Sequence, residues 1–144
     1  MEELRIVVEK NPDRKDIDVL TSGLDRYNIA KTGSDDAKVL AIFLKDHNGQ
    51  IVGGIYGWSW AGWLEVKYLW IEEAWRGKGY GSKLLNLAEQ EGIFRKCNSN
   101  FLDTFSFQAP EFYKKLGYKV FGVLKDYPGE HKRYFLKKKL IQSD

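Results

Sequence analysis

Residues 76–82 form a glycine-rich, basic segment that reads Arg-Gly-Lys-Gly-Tyr-Gly-Ser. Glycines at alternate positions let the backbone turn tightly and present several N–H groups in one direction. Those donors, together with the positive end of a helix that follows, suit an anion such as a pyrophosphate. Arg76 and Lys78 add positive charge to the same rim. The segment therefore predicts a phosphate-binding loop.

The residues alone leave two other interpretations of this segment open. A glycine-rich turn can join a strand to a helix without binding any ligand. A dinucleotide-binding loop is favoured by Asp103, which follows Gly81 by about 20 residues, where a ribose-binding acid is expected. The glycine spacing is Gly-x-Gly-x-Gly, however, and not Gly-x-Gly-x-x-Gly. A nucleotide-triphosphate loop would end in Gly-Lys-Ser or Gly-Lys-Thr, which this segment lacks.

Composition and charge narrow the class of protein. The chain of 144 residues fits one globular domain, residues 1–144, and its net charge of +3 comes from acids and bases that are mixed along the sequence. A nucleic-acid-binding protein would normally carry a basic stripe, so we expect no nucleic-acid partner. The single cysteine, Cys97, excludes an internal disulfide and a zinc–cysteine cluster, and we expect no metal.

The hydropathy pattern contains neither a signal-peptide core nor a run of roughly 20 apolar residues that could span a membrane. We therefore expect a cytoplasmic protein without a membrane partner.

Apolar periodicity and turn residues predict the elements that position the loop. The predicted order is β-α-β-β-β-α-β-α-β-β, an α+β domain with one mixed sheet. Asn48-Gly49 predicts a hairpin turn, and Gly117 is placed to end the last helix. The predicted strands cover residues 4–8, 39–44, 51–60, 64–71, 101–107, 119–124 and 133–140. The predicted helices cover residues 16–30 and 82–96, with a short helix opening at residues 109–111.

Two segments resemble the motifs of a known family. Residues 69–85 read LWIEEAWRGKGYGSKLL and resemble the acyl-CoA motif of the GNAT superfamily of N-acetyltransferases. Residues 112–118, FYKKLGY, resemble that family's Phe-Tyr-x-Lys-x-Gly-Phe/Tyr signature. The resemblance implies a GNAT-like acyl-CoA N-acyltransferase fold, with a central, mostly antiparallel mixed sheet flanked by helices. It also implies that acetyl-CoA is the acyl donor and that a primary amine accepts the acetyl group.

The family resemblance further implies which residues hold acetyl-CoA. The strand before the loop splays from its neighbour, and its backbone at Leu69, Trp70 and Ile71 pairs with the pantetheine arm. A strand amide near Leu69 or Ile71 polarises the thioester carbonyl as an oxyanion donor. The pyrophosphate rests on N–H groups of the loop, formed by Arg76, Gly77, Lys78, Gly79, Tyr80, Gly81 and Ser82.

Two residues match catalytic positions of the family. Tyr113 would protonate the leaving CoA thiolate, or else is a helix tyrosine packed on the sheet. Glu65 would take the proton of the acceptor amine, or else is an exposed carboxylate that pairs with Lys67. Asp103 faces the cleft or holds a structural hydrogen bond. Cys97 has no histidine nearby in sequence, so we expect a buried structural thiol and direct attack in a ternary complex.

The acceptor site is expected among the first helix, the turn at residues 57–63 and the last hairpin with His131. Trp58, Trp60 and Trp63 in that turn predict an apolar or cation-binding wall, core packing or a subunit interface, and a homodimer is possible. The acceptor is a small-molecule amine or a peptide. The alternative function is a non-catalytic acyl-CoA-binding or regulatory module.

Overall fold

The computed structural model describes residues 2–141. The chain divides into two compact units, residues 1–35 and residues 36–144. The first unit contains helix α1, Arg14–Thr32. The Asp13 carboxylate accepts a hydrogen bond from the Lys15 N–H and begins the helix, and Gly33 ends it in the left-handed conformation. The predicted helix over residues 16–30 is confirmed and is two residues longer at each end.

The predicted strand over residues 4–8 is wrong. These residues adopt neither strand nor helix, and Leu4, Ile6 and Val8 are 88%, 99% and 89% exposed. A strand persists only when a neighbouring backbone accepts and donates its ladder hydrogen bonds. The apolar run has no such partner within the described part of the chain, so β-propensity alone does not make it a strand.

The second unit contains every strand of the described chain and two further α-helices. In chain order they are β1 Lys38–Lys45, β2 Ile51–Trp60, β3 Trp63–Ile71, a 3-10 turn Glu73–Trp75, α2 Tyr80–Phe94, β4 Ser99–Phe105, α3 Pro110–Lys115, β5 Lys119–Leu124 and β6 Arg133–Lys139. The strands predicted over residues 39–44, 51–60, 64–71, 119–124 and 133–140 are confirmed, each end within one residue of the observed bounds. Strand β4 ends at Phe105, earlier than predicted, because the Gln108 N–H bonds back to the Phe105 carbonyl and turns the chain.

Within residues 2–141 the strands form one six-stranded sheet in the order β1-β2-β3-β4-β6-β5. The β3–β4 pair is parallel, and the other neighbouring strands are antiparallel. The predicted fold class, a mixed and mostly antiparallel sheet with flanking helices, is thereby confirmed. Because β3 and β4 are parallel, the connection between them crosses over through α2, which places the start of α2 at the carboxyl end of β3.

The core lies between the sheet and helices α2 and α3. Leu85 and Ala88 of α2 and Tyr113 of α3 pack on buried strand residues such as Leu64 and Leu136. The last turn of α2 approaches the sheet so closely that a side chain at Gly92 has little room. A Cβ at Gly92 would lie 3.2 Å from side-chain atoms of both Leu64 and Leu140. This packing fixes the position of α2 and hence of its first turn.

Candidate active site

Within the paired stretch, residues 63–71 of β3 lie opposite residues 53–60 of β2, so β3 has one residue more there. Tyr56 pairs with Tyr68 and Gly57 with Val66, so that Lys67 has no partner in β2 and forms a β-bulge. The bulge shifts the alternation of side chains along β3 by one residue, so that odd-numbered instead of even-numbered residues face the core after it. Leu64 and Val66 enter the core before it, whereas Leu69 and Ile71 pack on the core after it.

The same bulge marks the point where β3 leaves β4. The parallel pairing runs from Trp63 with Ser99 to Val66 with Leu102 and stops there. Beyond it, β4 continues along β6 as far as Phe105. Residues 67–71 therefore have no strand neighbour on their β4 side, and the two strands diverge as the family resemblance implies.

The hydrogen-bonding pattern shows which backbone groups face this gap. The Glu72 N–H donates to the Val52 carbonyl at 2.8 Å. Because hydrogen-bonded and non-hydrogen-bonded pairs alternate in an antiparallel ladder, Trp70 bonds to Gly54 in β2. The N–H and C=O groups of Leu69 and Ile71 consequently point away from β2, towards the gap. Arg76 Nε donates to the Ile71 carbonyl at 2.7 Å.

The glycine loop presents free N–H groups at the other end of the gap. Gly77 and Gly79 have φ values of 74° and 83°, in the left-handed region that favours glycine. Helix α2 begins at Tyr80, and no side chain of the described chain caps its first turn. The N–H groups of Tyr80, Gly81 and Ser82 therefore lack intrahelical partners and make an anion site with the helix dipole.

The gap and the loop together form a cleft of about 1160 Å³. Its walls are the end of β3, the glycine loop, the end of β4 and the start of α3. The predicted site residues that line it are Leu69, Trp70, Ile71, Arg76, Gly77, Gly79, Tyr80, Gly81, Ser82 and Tyr113. Two predicted site residues, Lys78 and Glu65, are not in this lining. The Lys78 ammonium lies 5.7 Å from the ring centre of Trp75.

Tyr113 is buried at the inner wall of the cleft. Its ring packs edge-on against Phe112 and Tyr118, with centres 5.1 and 5.9 Å away. Burial, assisted by the negative charge of Asp103, raises the pKa of Tyr113 to about 12. The phenol therefore keeps its proton at neutral pH and can donate it to an atom in the cleft.

Asp103 and Arg133 form an ion pair at the wall of the cleft. Arg133 Nε donates to Asp103 Oδ1 at 3.0 Å, and this hydrogen bond raises the pKa of Arg133. The guanidinium also lies over the rings of Phe105, Tyr127 and Phe135. Both predictions for Asp103, facing the cleft and holding a structural bond, are confirmed. Arg133 could not be identified as a cleft residue from the sequence, because its position depends on the pairing of β4 with β6.

Glu65 lies on the other side of the bulge and lines a second pocket of about 320 Å³. The remaining lining is aromatic apart from one alanine: Trp58, Trp60, Ala61, Trp63 and Phe101. Burial raises the pKa of the Glu65 carboxyl, Lys67 opposes that shift, and Asp103 adds to it. The charges of Lys67 and Asp103, which line the cleft, thus act on Glu65, which does not line it.

Cys97 and His131, two other residues considered from the sequence, both pack against neighbouring residues. Cys97 is a free, buried thiol in the core, and burial raises its pKa, so it is a structural residue. His131 packs edge-on against Phe107, with ring centres 4.9 Å apart.

Within residues 2–141 no cluster of three histidine, cysteine or acidic residues is arranged to hold a metal ion. Among the helices described, none has the length and hydropathy needed to cross a membrane.

Comparison with known proteins agrees with this geometry. The acetyltransferase (GNAT) domain family matches residues 39–120, which include β1, the glycine loop and α3. Acetyltransferase Atu2258 of Agrobacterium fabrum is 36% identical over 98 residues, 68% of this chain and 72% of that protein. Blasticidin-S acetyltransferase of Streptomyces morookaense is 34% identical over 104 residues, 72% of this chain and 76% of the relative.

Solved structures agree as well. An acetyltransferase from Bacillus cereus superposes with a TM-score of 0.79 at 33% identity, covering 92% of this chain and 97% of that one. An aminoglycoside 6'-N-acetyltransferase complexed with coenzyme A shares the fold, with a TM-score of 0.64 at 22% identity over 81% of this chain and 80% of its own. The chain belongs to the GNAT acetyltransferase family and is an acetyl-CoA-dependent N-acetyltransferase.

Proposed function

We propose that this enzyme transfers the acetyl group to a primary amine by direct attack within a ternary complex. The observation that supports this mechanism is the cleft between β3 and β4, which has free helix N–H groups at one end and Tyr113 on its wall. The only thiol of the chain, Cys97, is buried in the core, away from the cleft lining. An acyl-enzyme on that thiol is therefore not part of the proposal.

The proposed acetyl-CoA site follows the length of the cleft. The pyrophosphate binds the N–H groups of the loop from Arg76 to Ser82, and Gly77, Gly79 and Gly81 let the backbone approach it. Lys78 contributes its backbone and positive charge at the rim. The pantetheine arm extends along β3 and pairs with the outward backbone groups of Leu69 and Ile71, beside the Trp70 side chain.

The proposed chemistry needs three groups. The amine nitrogen attacks the thioester carbon, while an N–H of Leu69 or Ile71 stabilises the negative charge on the carbonyl oxygen. The carbon–sulfur bond then breaks, and the Tyr113 hydroxyl gives its proton to the sulfur. The proton lost by the amine passes to a base, for which Glu65 remains the candidate from sequence. Since Glu65 lies outside the cleft lining, this transfer would run through water.

The acceptor class is a small-molecule amine, with a peptide as the second candidate. Support for the small molecule comes from relatives named for small acceptors, the blasticidin-S and aminoglycoside acetyltransferases. The Arg133 guanidinium and the rings of Phe105 and Tyr127 that it covers give a defined wall for such a molecule. A cytoplasmic location, a single functional domain over residues 1–144 and a homodimer remain predictions from sequence.

Thermal unfolding with acetyl-CoA, CoA, NAD or ATP tests the cofactor assignment. A ligand at 100 times its dissociation constant stabilises the folded state by about 2.7 kcal/mol, so we expect the unfolding temperature to rise only with the CoA species. Thiol release from acetyl-CoA is then measured across a panel of amines. Stabilisation by CoA with no release for any amine would favour the non-catalytic binding module, and stabilisation by NAD instead would contradict the proposal.

A further inference from the structure

Asp103 lies at the point where strands β3 and β4 diverge. The parallel pairing of the two strands ends at Val66 and Leu102, and Asp103 is the next residue of β4. Its neighbours Leu102 and Thr104 are buried, whereas Asp103 is partly exposed and lines the cleft. The sheet therefore presents one carboxylate to the cleft where the gap between the strands opens.

The ion pair with Arg133 holds one oxygen of the Asp103 carboxylate and leaves the other open. Arg133 Nε donates to Oδ1 at 3.0 Å, and the guanidinium lies 5.5 and 5.1 Å from the ring centres of Phe105 and Phe135. Within residues 2–141 no hydrogen bond reaches Oδ2. In that part of the chain the buried side-chain polar atom without a partner is Asn100 Oδ1, so Asp103 Oδ2 is accessible to a donor in the cleft.

Asp103 also lies close enough to Tyr113 for the two groups to interact. Both line the cleft, and burial, followed by the negative charge of Asp103, raises the pKa of the Tyr113 phenol. In the proposed reaction Tyr113 protonates the leaving sulfur. The attacking nitrogen and the leaving sulfur are bonded to the same carbon atom in the tetrahedral intermediate, so a group near Tyr113 is also near the nitrogen.

A carboxylate at this place suits the nitrogen of an amine. The nitrogen becomes positively charged as it attacks the thioester carbon, and an acceptor of its N–H groups with a full negative charge stabilises that change. We propose that Asp103 binds the reacting amine of the acceptor, with Oδ2 accepting a hydrogen bond from its N–H. The Arg133 side chain positions this carboxylate. The proposal rests on the proposed function and assigns one residue to acceptor recognition.

Two aromatic rings beside Asp103 indicate what the amine is attached to. Phe105 and Phe107 line the same cleft, and their rings stack with centres 5.3 Å apart. Phe107 is 55% exposed, so it offers an apolar face to a ligand. Phe105 follows Asp103 by two residues, which places it roughly 7 Å further along the strand on the same face. The inferred acceptor is therefore a primary amine separated by a short chain from a planar apolar group, as in phenethylamine.

Binding without reaction is measured on the enzyme saturated with CoA, which has no acetyl group to transfer. Phenethylamine is the probe, and 2-phenylethanol is a neutral compound of the same shape. Backbone amide signals of residues 103–107 in a ¹H–¹⁵N spectrum report the affinity of each compound. We expect phenethylamine to bind at least about tenfold more tightly than 2-phenylethanol, because only the amine carries a positive charge. Equal affinities, or no shift with either compound, would overturn the proposal.

The Asp103→Asn variant changes the open atom and keeps the structural bond. An amide oxygen can still accept from Arg133 Nε, whereas the amide NH₂ replaces Oδ2 and offers a donor. The variant should bind phenethylamine about ten- to a hundredfold more weakly and 2-phenylethanol as the wild type does. Glu111→Gln, which removes the charge of an exposed carboxylate paired with Lys114, is the matched control and should change neither affinity. Equal losses for both compounds in Asp103→Asn would show a structural role and overturn the proposal.

Kinetics of CoA release from acetyl-CoA separate this inference from the proposed function. With phenethylamine as acceptor, Asp103→Asn should lower kcat/KM by about ten- to a hundredfold while CoA binds as in the wild type. An unchanged kcat/KM would overturn the role of Asp103 and leave the proposed function intact. Selective binding of phenethylamine to the CoA-loaded wild type, without any transfer from acetyl-CoA, would instead refute the proposed function while Asp103 stood as an amine-binding residue.

Discussion

The hydroxyl of Tyr118 donates a hydrogen bond to the Glu89 carboxylate at 2.7 Å and accepts one from the Asn100 amide at 2.7 Å. Lys138 adds an ion pair with Glu89 at 2.8 Å. The Tyr118 hydroxyl thus connects α2 with β4, and Glu89 connects the same helix with β6. Burial and the charge of Glu89 raise the pKa of Tyr118, so the phenol remains a donor. This network fixes α2, and with it the first turn, which lines the cleft.

We expect Tyr118→Phe to lower the free energy of unfolding by about 1–3 kcal/mol, because it leaves buried polar groups on both sides without their partner. Urea unfolding measures this loss. Tyr68→Phe, at a residue that is 62% exposed, is the control and should change stability little. A Tyr118→Phe variant as stable as the wild type would show that the network does not contribute to stability.

Tyr113→Phe should slow acetyl transfer without loosening the fold. The substitution removes the proton that we assign to the leaving thiolate and keeps the ring that packs on Phe112, so kcat should fall by up to about 10²-fold. Because the pKa of Tyr113 is about 12, loss of this proton should not lower the wild-type rate at neutral or mildly alkaline pH. Stopped assays of thiol release across pH, together with CoA affinity, measure both effects. An unchanged kcat would remove Tyr113 from the mechanism.

Gly57→Ala should damage both stability and CoA binding. A Cβ at this position would collide with the Glu65 carbonyl oxygen and lie 3.1 Å from the Val66 Cα, next to the bulge. We expect a loss of about 1–3 kcal/mol or more, and weaker CoA binding because β3 shifts. Gly23→Ala in α1, where the nearest atom is 3.9 Å away, should instead be neutral or stabilising by up to about 1 kcal/mol. Chemical denaturation and CoA titration of both variants provide the comparison.

Gly79→Ala and Gly49→Ala separate backbone strain from ligand binding. The two glycines have φ values of 83° and 79°, and in neither case does a Cβ meet another atom within 4 Å. Each variant should lose about 1 kcal/mol or somewhat more of stability, because alanine is disfavoured in the left-handed region. Only Gly79→Ala should weaken CoA binding, by about five- to tenfold, since Gly49 lies in the β1–β2 turn. Equal CoA affinity in the two variants would contradict the phosphate-loop assignment.

Glu65→Gln should stabilise the protein in a pH-dependent way. Burial raises the folded-state pKa of this carboxyl, so folding favours its neutral form and the wild type loses stability as pH rises through that pKa. At neutral pH the amide, which never ionises, should therefore give a higher unfolding temperature. The difference should vanish below about pH 4, where the carboxyl is protonated in both the folded and unfolded states. Thermal unfolding of the two proteins from acid to neutral pH measures it, and a difference independent of pH would contradict this assignment.

The sequence predicted those elements whose formation depends on residues that are close together in the chain. The Asn48-Gly49 turn and the flanking apolar runs predicted the β1–β2 hairpin, with β2 over residues 51–60 as observed. Gly33 and Gly117 end helices with positive φ, as expected of helix-ending glycines. Residues 4–8 show where the same reasoning fails. Their apolar side chains favour a strand, but the partner that a strand requires is a long-range property that a local pattern does not contain.

The same distinction applies to the site residues: some are contiguous in sequence, and others are brought together only by strand pairing. The glycine loop was predictable because its glycines, its charges and the start of α2 are contiguous in sequence. The bulge at Lys67 was not, because it depends on the register of β3 against β2. Because of that one residue, Glu65 faces the second pocket and lies outside the cleft lining. Arg133 was missed for a similar reason, since only the β4–β6 pairing brings it to Asp103.

The bulge also has an evolutionary consequence. It divides β3 into a half whose outward backbone groups face the cleft and a half whose side chains line the second pocket. Substitutions at Trp63 or Glu65 alter that pocket without touching the backbone groups of Leu69 and Ile71. The side chains around the second pocket can therefore diverge among descendants while the backbone that faces the cleft keeps its geometry.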